Sequence, residues 1–292
     1  MSYYGQPPTF SQEKPSSYPE LILVGAARRG PRTRVVSMSS TLQIEAAAGS
    51  HVGHVRRKND DSFAALLELG LFMVADGIGG RPGGEVASRM ALEAVRESIE
   101  EDDPEETWPY ASDGTREREE LQLVQALRCA NNTIFETAVR TPGLRGMGTT
   151  FTGALVRGDR AYLAHVGDSR IYRLRGARLE QLTDDHSVIE EARRRGVDLD
   201  EDASGRLSGV LLRSVGTERR VEVDTRVELV RPGDVLLLCS DGLWDPVPED
   251  DIAATLAWQG RTEAIVAGLI GRALERGAPD NVTCVVVRFG RA

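Results

Sequence analysis

Aspartates recur in this chain where apolar runs stop. Asp76 closes "LFMVAD" and opens onto the glycine-rich "GIGGRPGG". Asp168 follows "AYLAHVG", Asp241 follows "VLLLCS", Asp280 stands just before "NVTCVVV", and Asp60 and Asp61 precede "SFAALL". A rigid strand fixes the Cα at such a position, and the turn lets the carboxylate point outward. One aspartate there ordinarily caps a turn; five such places in one chain ask for more. Three or more converging carboxylates repel one another, which raises their pKa values or destabilises the fold unless a cation sits among them. Hard divalent cations take carboxylate, carbonyl and water oxygens, so the matching ions are Mg²⁺ and Mn²⁺. Two such ions sharing a bridging carboxylate lower the pKa of a water between them and clamp the oxygens of a phosphate. Glycine after Asp76 lets a backbone carbonyl approach a metal where a side chain would obstruct it.

Other chemistries fit less well. A dinucleotide loop needs G-x-G-x-x-G, and counting from Gly77 and Gly79 its third position falls on Pro82. There is no GxxxxGK[ST], HExxH, GxSxG or EF-hand spacing. "HVGH" at 51–54 offers two imidazoles but no further His or Cys nearby, which argues against zinc. With 36 basic and 45 acidic residues the formal charge is −9, which points away from nucleic acid and anionic membranes. No apolar run is long enough to span a bilayer. Cys129, Cys239 and Cys284 are scattered and form no CxxC, as expected of reduced thiols in a cytoplasmic protein.

The elements that must hold these acids read mostly as strands. "TLQIEAAA" alternates as a half-buried strand, and "SFAALLELGLFMVAD" reads as a hairpin turning near Gly70. Helices are expected over 84–100, 120–139 and 262–276, each with an apolar face. Between the first two lies the acidic "EEDDPEETWPYASDGTREREE", read as a solvated insertion. Residues 149–183 give about three antiparallel strands around a Gly-Asp turn at 158–159, and Ser187 with Glu190 forms a capping box for a helix ending at Gly196. The stretch 197–209 reads as a mobile loop. "DVLLLCSD" and "NVTCVVVRF" are further strands. Residues 1–41, with several prolines and no periodicity, read as a flexible tail, and 42–290 as one globular domain. The order of elements favours an α+β domain with antiparallel sheets and helices packed outside.

Seven segments in order, "GHVRRKNDDSF", "LFMVADGIGGRPGGEVAS", "GMGTTFTGALV", "AHVGDSRIYRL", "QLTDDHSVIEE", "VLLLCSDGLWDPV" and "APDNVTCVVV", resemble the PP2C-type (PPM) metal-dependent serine/threonine protein phosphatases, especially their bacterial branch. The resemblance implies a central sandwich of two antiparallel sheets flanked by helices, with a binuclear Mn²⁺ or Mg²⁺ site at one end. By position Asp76 matches the bridging ligand, Gly77 the carbonyl ligand, and Asp241 and Asp280 direct carboxylate ligands. Asp60 and Asp61 match a Glu-Asp pair at or just outside the metal shell. Asp168, with Asp241, matches the holder of a third ion, and Arg56 the arginine that binds the substrate phosphate. The implied reaction is in-line attack of a metal-bridging hydroxide on phosphoserine or phosphothreonine, without a phosphoenzyme, in a monomer opposing Ser/Thr kinases. The implied partners are therefore phosphorylated proteins, the kinases themselves among them. Two positions depart from the pattern. Asp60 is one methylene shorter than the usual Glu, and Ile78 stands where some members carry a proton-donating histidine. His186 of "DDHS" is the nearest alternative donor in the sequence, with hydrogen bonding at a helix start as its structural role. Asp60 also raises a second reading, a weakly catalytic phosphoprotein-binding module.

Overall fold

The computed structural model describes residues 22–26, 42–79, 83–101 and 117–291. Along the chain these form β1 (Ile22–Ala26), β2 (Leu42–His51), β3 (Asp61–Leu66), β4 (Leu71–Asp76), α1 (Gly84–Glu100) and α2 (Arg118–Arg140). Four strands follow: β5 (Phe151–Arg157), β6 (Arg160–Val166), β7 (Arg170–Arg175) and β8 (Arg178–Gln181). Then come α3 (Val188–Arg194), α4 (Glu201–Leu207), β9 (Asp224–Leu229) and β10 (Val235–Cys239). The chain closes with α5 (Asp241–Trp244), α6 (Glu249–Leu256), α7 (Thr262–Glu275) and β11 (Val282–Arg291).

The strands make two antiparallel sheets, ordered β1-β2-β11-β10-β7-β8 and β3-β4-β5-β6-β9. Period-two alternation sorts each strand between layers. In β4, Phe72 and Val74 face the other sheet, whereas Leu71 and Met73 face α1 and α2. In β10, Leu236 and Leu238 face the sandwich interior, whereas Leu237 and Cys239 pack toward α7. Helices therefore cover both outer faces, giving the expected α+β sandwich in four layers. Strands buried on both faces read as unbroken apolar runs, which explains "LFMVA" and "VLLLC". It also corrects β2, which is buried on both sides rather than one: Ala46 and Ala48 point between the sheets and Ala47 toward α7.

Three further expectations change. Ile22–Ala26, inside the stretch read as a tail, pairs with β2 as an edge strand, with Ile22 opposite Ser50 and Ala26 opposite Ala46. The rest of that tail, most of the acidic insertion and residues 80–82 lie outside the described residues. The stretch 197–209 is not all loop: Asp200 accepts from Ala203 N at 2.7 Å and caps the short α4. Only half of the capping box at α3 forms, with Ser187 Oγ accepting from Glu190 N at 3.2 Å. Among the described residues no helix is long and apolar enough to cross a membrane.

Candidate active site

Adjacent strands deliver the acids to one end of the sandwich. Asp76 ends β4, and Asp61, starting β3, lies directly opposite it in register. Asp241 follows β10 and Asp280 precedes β11, the strand hydrogen-bonded to β10. Asp168 sits in the turn between β6 and β7. Gly167 before it has φ +110°, and a Cβ there would stand 2.7 Å from Thr150. The backbone of Asp76 is pinned on both sides. Its N–H donates to Thr150 Oγ1 at 2.9 Å, and its carbonyl accepts from Thr150 N at 2.8 Å and Thr149 Oγ1 at 2.7 Å.

The resulting cleft has a volume of about 250 Å³. Asp60, Asp76, Asp168, Asp241 and Asp280 line it, together with Gly77 and Arg56. Asp61 does not; it lies behind the wall, where Ser240 Oγ donates to its Oδ2 at 2.8 Å. Gly77 is required sterically as well as for any carbonyl role, because a Cβ there would fall 2.4 Å from the backbone of Gly84. Gly79 leaves room for the Arg56 guanidinium, which would sit 3.0 Å from an added Cβ.

Burial and like charge act together on these acids. Desolvation, then repulsion from Asp61, Asp241, Asp168 and Asp280, pushes the Asp76 carboxyl well above the ordinary range. Burial lifts Asp61 to about 7, Asp168 to about 8 and Asp241 to about 6, with neighbouring aspartates adding to each. Asp76 and Asp241 lie close enough for each to act on the other's charge. Two buried carboxylate oxygens, Asp61 Oδ1 and Asp241 Oδ1, have no hydrogen-bond partner at all.

Cationic side chains balance part of this charge. Arg56 Nη2 pairs with Asp280 Oδ2 at 2.7 Å. Lys58 Nζ pairs with Asp60 Oδ1 at 2.8 Å, and the same oxygen accepts from Glu85 N in the first turn of α1 at 3.2 Å. Among the described residues no three His, Cys, Asp or Glu side chains are already closed around one point as a cage. The donor set is nonetheless that of a hard divalent cation: oxygen only, buried, over-acidic and with orphaned lone pairs.

Asn281 escaped the sequence reading, and Trp244, read there as packing the wall beside Asp241, has a further role. Asn281 is buried and accepts from Asp60 N at 2.8 Å while donating to the carbonyls of Val52 at 2.9 Å and Lys58 at 3.0 Å, so it sets the loop that carries Arg56. Its place beside Asp280 was the available signal. Trp244 donates from Nε1 to the Asp168 carbonyl at 3.0 Å. His186 does not reach the cleft. Its Nδ1 accepts from Gly167 N at 3.1 Å and its Nε2 meets Asp224 Oδ2 at 3.1 Å, a structural role, and burial lowers its pKa.

A sandwich of this topology with acids gathered at one end defines a class, and comparison with known families agrees. The family model for protein phosphatase 2C matches residues 48–267. This chain belongs to the PP2C-type serine/threonine phosphatase family. It is 37% identical over 246 residues to the serine/threonine protein phosphatase PstP of Mycobacterium tuberculosis, covering 84% of this chain but only 45% of that protein. It is 35% identical over 239 residues to the serine/threonine phosphatase stp of Listeria monocytogenes, covering 80% of this chain and 92% of the relative. The crystal structure of the PstP catalytic domain in complex with two manganese ions superposes with a TM-score of 0.73 at 34% identity, covering 86% of this chain and all of that one.

Proposed function

We propose that this chain hydrolyses phosphoserine and phosphothreonine on proteins and so opposes Ser/Thr kinases, acting as a cytoplasmic monomer. The carrying observation is the convergence of five aspartates and one arginine on a single cleft, with more negative charge than the side chains around it neutralise. Asp76, the Gly77 carbonyl, Asp241 and Asp280 would hold two Mn²⁺ or Mg²⁺ ions, with Asp168 and Asp241 holding a third and Asp60 and Asp61 acting at the edge of the shell. Bound there, the ions would supply an acidified water as nucleophile and neutralise phosphoryl oxygens. Arg56 exchanges Asp280 for the substrate, its fork matching two phosphate oxygens. Ile78 lines the cleft and donates nothing, and no histidine lies among the described lining residues, so the proton for the departing serine or threonine oxygen comes from a water or another group of the cleft rather than from an imidazole. The free cysteines, two of them buried, suit a reducing compartment.

A second reading, a weakly catalytic phosphoprotein-binding module, draws on one observation: Asp60 Oδ1 is already engaged by Lys58 and the α1 backbone. Phosphopeptide hydrolysis in Mn²⁺, Mg²⁺ or chelator, comparing wild type with Asp241→Asn and Asp60→Glu, separates the two. Turnover that needs the cation and collapses in Asp241→Asn supports the phosphatase. Turnover in chelator overturns it, and an inert wild type revived by Asp60→Glu establishes the binding module.

A further inference from the structure

On the face formed by α2 and the loop after Val215, two adjoining pockets of about 350 and 290 Å³ share Asn132, Arg219 and Arg220. Arg128, Asn131 and Val221 complete the lining of the first, and Phe135 and Glu136 that of the second. Among the described residues none of the three arginines is paired with a carboxylate, in a protein whose net charge is −9. Two of the acids nearby face other arginines, Glu136 bonding Arg140 at 2.9 Å and Glu222 facing Arg213 at 3.6 Å.

The patch is built rather than incidental. Asn131 is buried; its Oδ1 accepts from Gly216 N at 2.8 Å while its amide holds Glu218, so the loop is clamped just before the two arginines. Gly216 has φ +93°, and a Cβ there would stand 2.1 Å from Ile134, so the loop can lie this close to α2 only with glycine. The Arg219 guanidinium lies 5.5 Å from the Phe135 ring centroid, within the range at which an aromatic face holds a cation.

We propose that this cleft docks a second phosphorylated side chain of the same protein substrate, a reading that rests on the phosphatase assignment. Three guanidiniums that no described carboxylate pairs with, beside an exposed amide, suit a group that carries close to two negative charges and three acceptor oxygens, more than a carboxylate offers. The cleft is also wired to the catalytic floor. Val215 and Thr149 exchange backbone hydrogen bonds, and Thr149 Oγ1 donates to the Asp76 carbonyl at 2.7 Å. Val215 and Arg219 are four residues apart, at most about 14 Å of chain, and an extended substrate segment of about five to eight residues would span roughly 17–28 Å.

The test uses phosphoserine peptides with or without a non-hydrolysable phosphonate five to eight residues to either side, and a matched set with glutamate in its place. With the phosphonate, KM should fall about tenfold at unchanged kcat, an advantage that the glutamate peptides lack. Arg219→Gln/Arg220→Gln should erase it, Arg219→Lys/Arg220→Lys should restore part of it, and p-nitrophenyl phosphate hydrolysis should be the same in all three proteins. No KM advantage, an advantage surviving in the Gln variant, or an equal one from glutamate overturns the proposal. If wild type fails on p-nitrophenyl phosphate in Mn²⁺, the phosphatase reading fails instead. Fluorescence anisotropy of a peptide carrying only the phosphonate then decides docking, which stands if the Gln variant loses binding and falls if it does not.

Discussion

Two clusters of buried charge in this molecule are positioned by strands of the same two sheets and end differently. At the β7–β8–β9 junction Arg173 is nearly buried between two glutamates, Glu180 at 2.7 Å and Glu228, and Arg226 faces both acids from the rim. Only its Nε lacks an acceptor. At the cleft, Asp61, Asp76, Asp168 and Asp241 share a comparable depth, with no arginine among them and two orphaned oxygens. The first cluster is a closed ion-pair network joining the two sheets. The second is an open one, and the missing positive charge marks it as the place where the molecule binds something.

Neutralising one charge in each cluster should have opposite effects. Asp241→Asn should lower kcat by on the order of 10²–10³-fold, because a ligand of the proposed cations is lost and with it the electrostatic stabilisation they would supply. The metal-free fold should not weaken, since a repelling neighbour is removed. Arg173→Met should do the reverse, leaving kcat near wild type while costing about 2–3 kcal/mol, less than the loss from a fully buried pair because Arg226 still faces both glutamates. That corresponds to a Tm lower by roughly 5–10 °C. Steady-state kinetics in saturating Mn²⁺ and thermal melts in chelator read both. A large destabilisation by Asp241→Asn would mean that the cleft is as balanced as the network.

pH separates the clusters next. Asp241, Asp61 and Asp168 have folded pKa values above the ordinary carboxylate value, so each stabilises the metal-free fold fully below about pH 4. That contribution is withdrawn as pH climbs through about 6, 7 and 8 respectively. Glu180 is shifted the other way by its bond to Arg173, so its contribution is present above its unfolded value and lost only in acid. Melts in chelator should therefore show Tm falling by several degrees from pH 5.5 to 8, and Mn²⁺ should raise Tm more at pH 8 than at pH 5.5. A flat chelator profile, or a Mn²⁺ shift independent of pH, would remove the basis for calling the cleft unbalanced.

How much of this the sequence disclosed follows the same division. The cleft acids were legible because each borders an apolar run, at its start or its end, so strand pattern and chemistry fall close together in the chain. Arg56, Gly77 and the family were legible for a related reason, since short motifs keep their spacing within one turn. Asn281 and Trp244 were not given their roles. Each acts on a backbone group more than fifty residues away, Asn281 on Asp60 and Trp244 on Asp168, and no local pattern encodes such a pairing. Arg173 was equally silent, because Glu180 and Glu228 meet it through sheet register and packing. β1 was missed because an apolar tetrapeptide among prolines becomes a strand only when a neighbouring edge is free to pair with it.

Trp244 lies where the two kinds of charge meet and gives the finest test. Arg170 is held by Asp185 in a fork, Nε at 2.9 Å and Nη2 at 2.7 Å, a balanced pair of the Arg173 kind. Its guanidinium carbon lies 3.4 Å from the Trp244 ring centroid, while the indole N–H holds the carbonyl of Asp168, an unbalanced acid. Trp244→Phe keeps an aromatic face for Arg170 and removes only the donor, costing about 1 kcal/mol and roughly 2–4 °C in Tm. Trp244→Leu removes the face as well and should cost more. If Trp244 positions Asp168 for a cation, the Mn²⁺ concentration for half-maximal activity should rise a few-fold in both variants, with kcat at saturating Mn²⁺ within about threefold of wild type. An unchanged Mn²⁺ dependence beside the lower Tm would assign Trp244 to the balanced pair alone, and the boundary between the clusters would then run between Arg170 and Asp168.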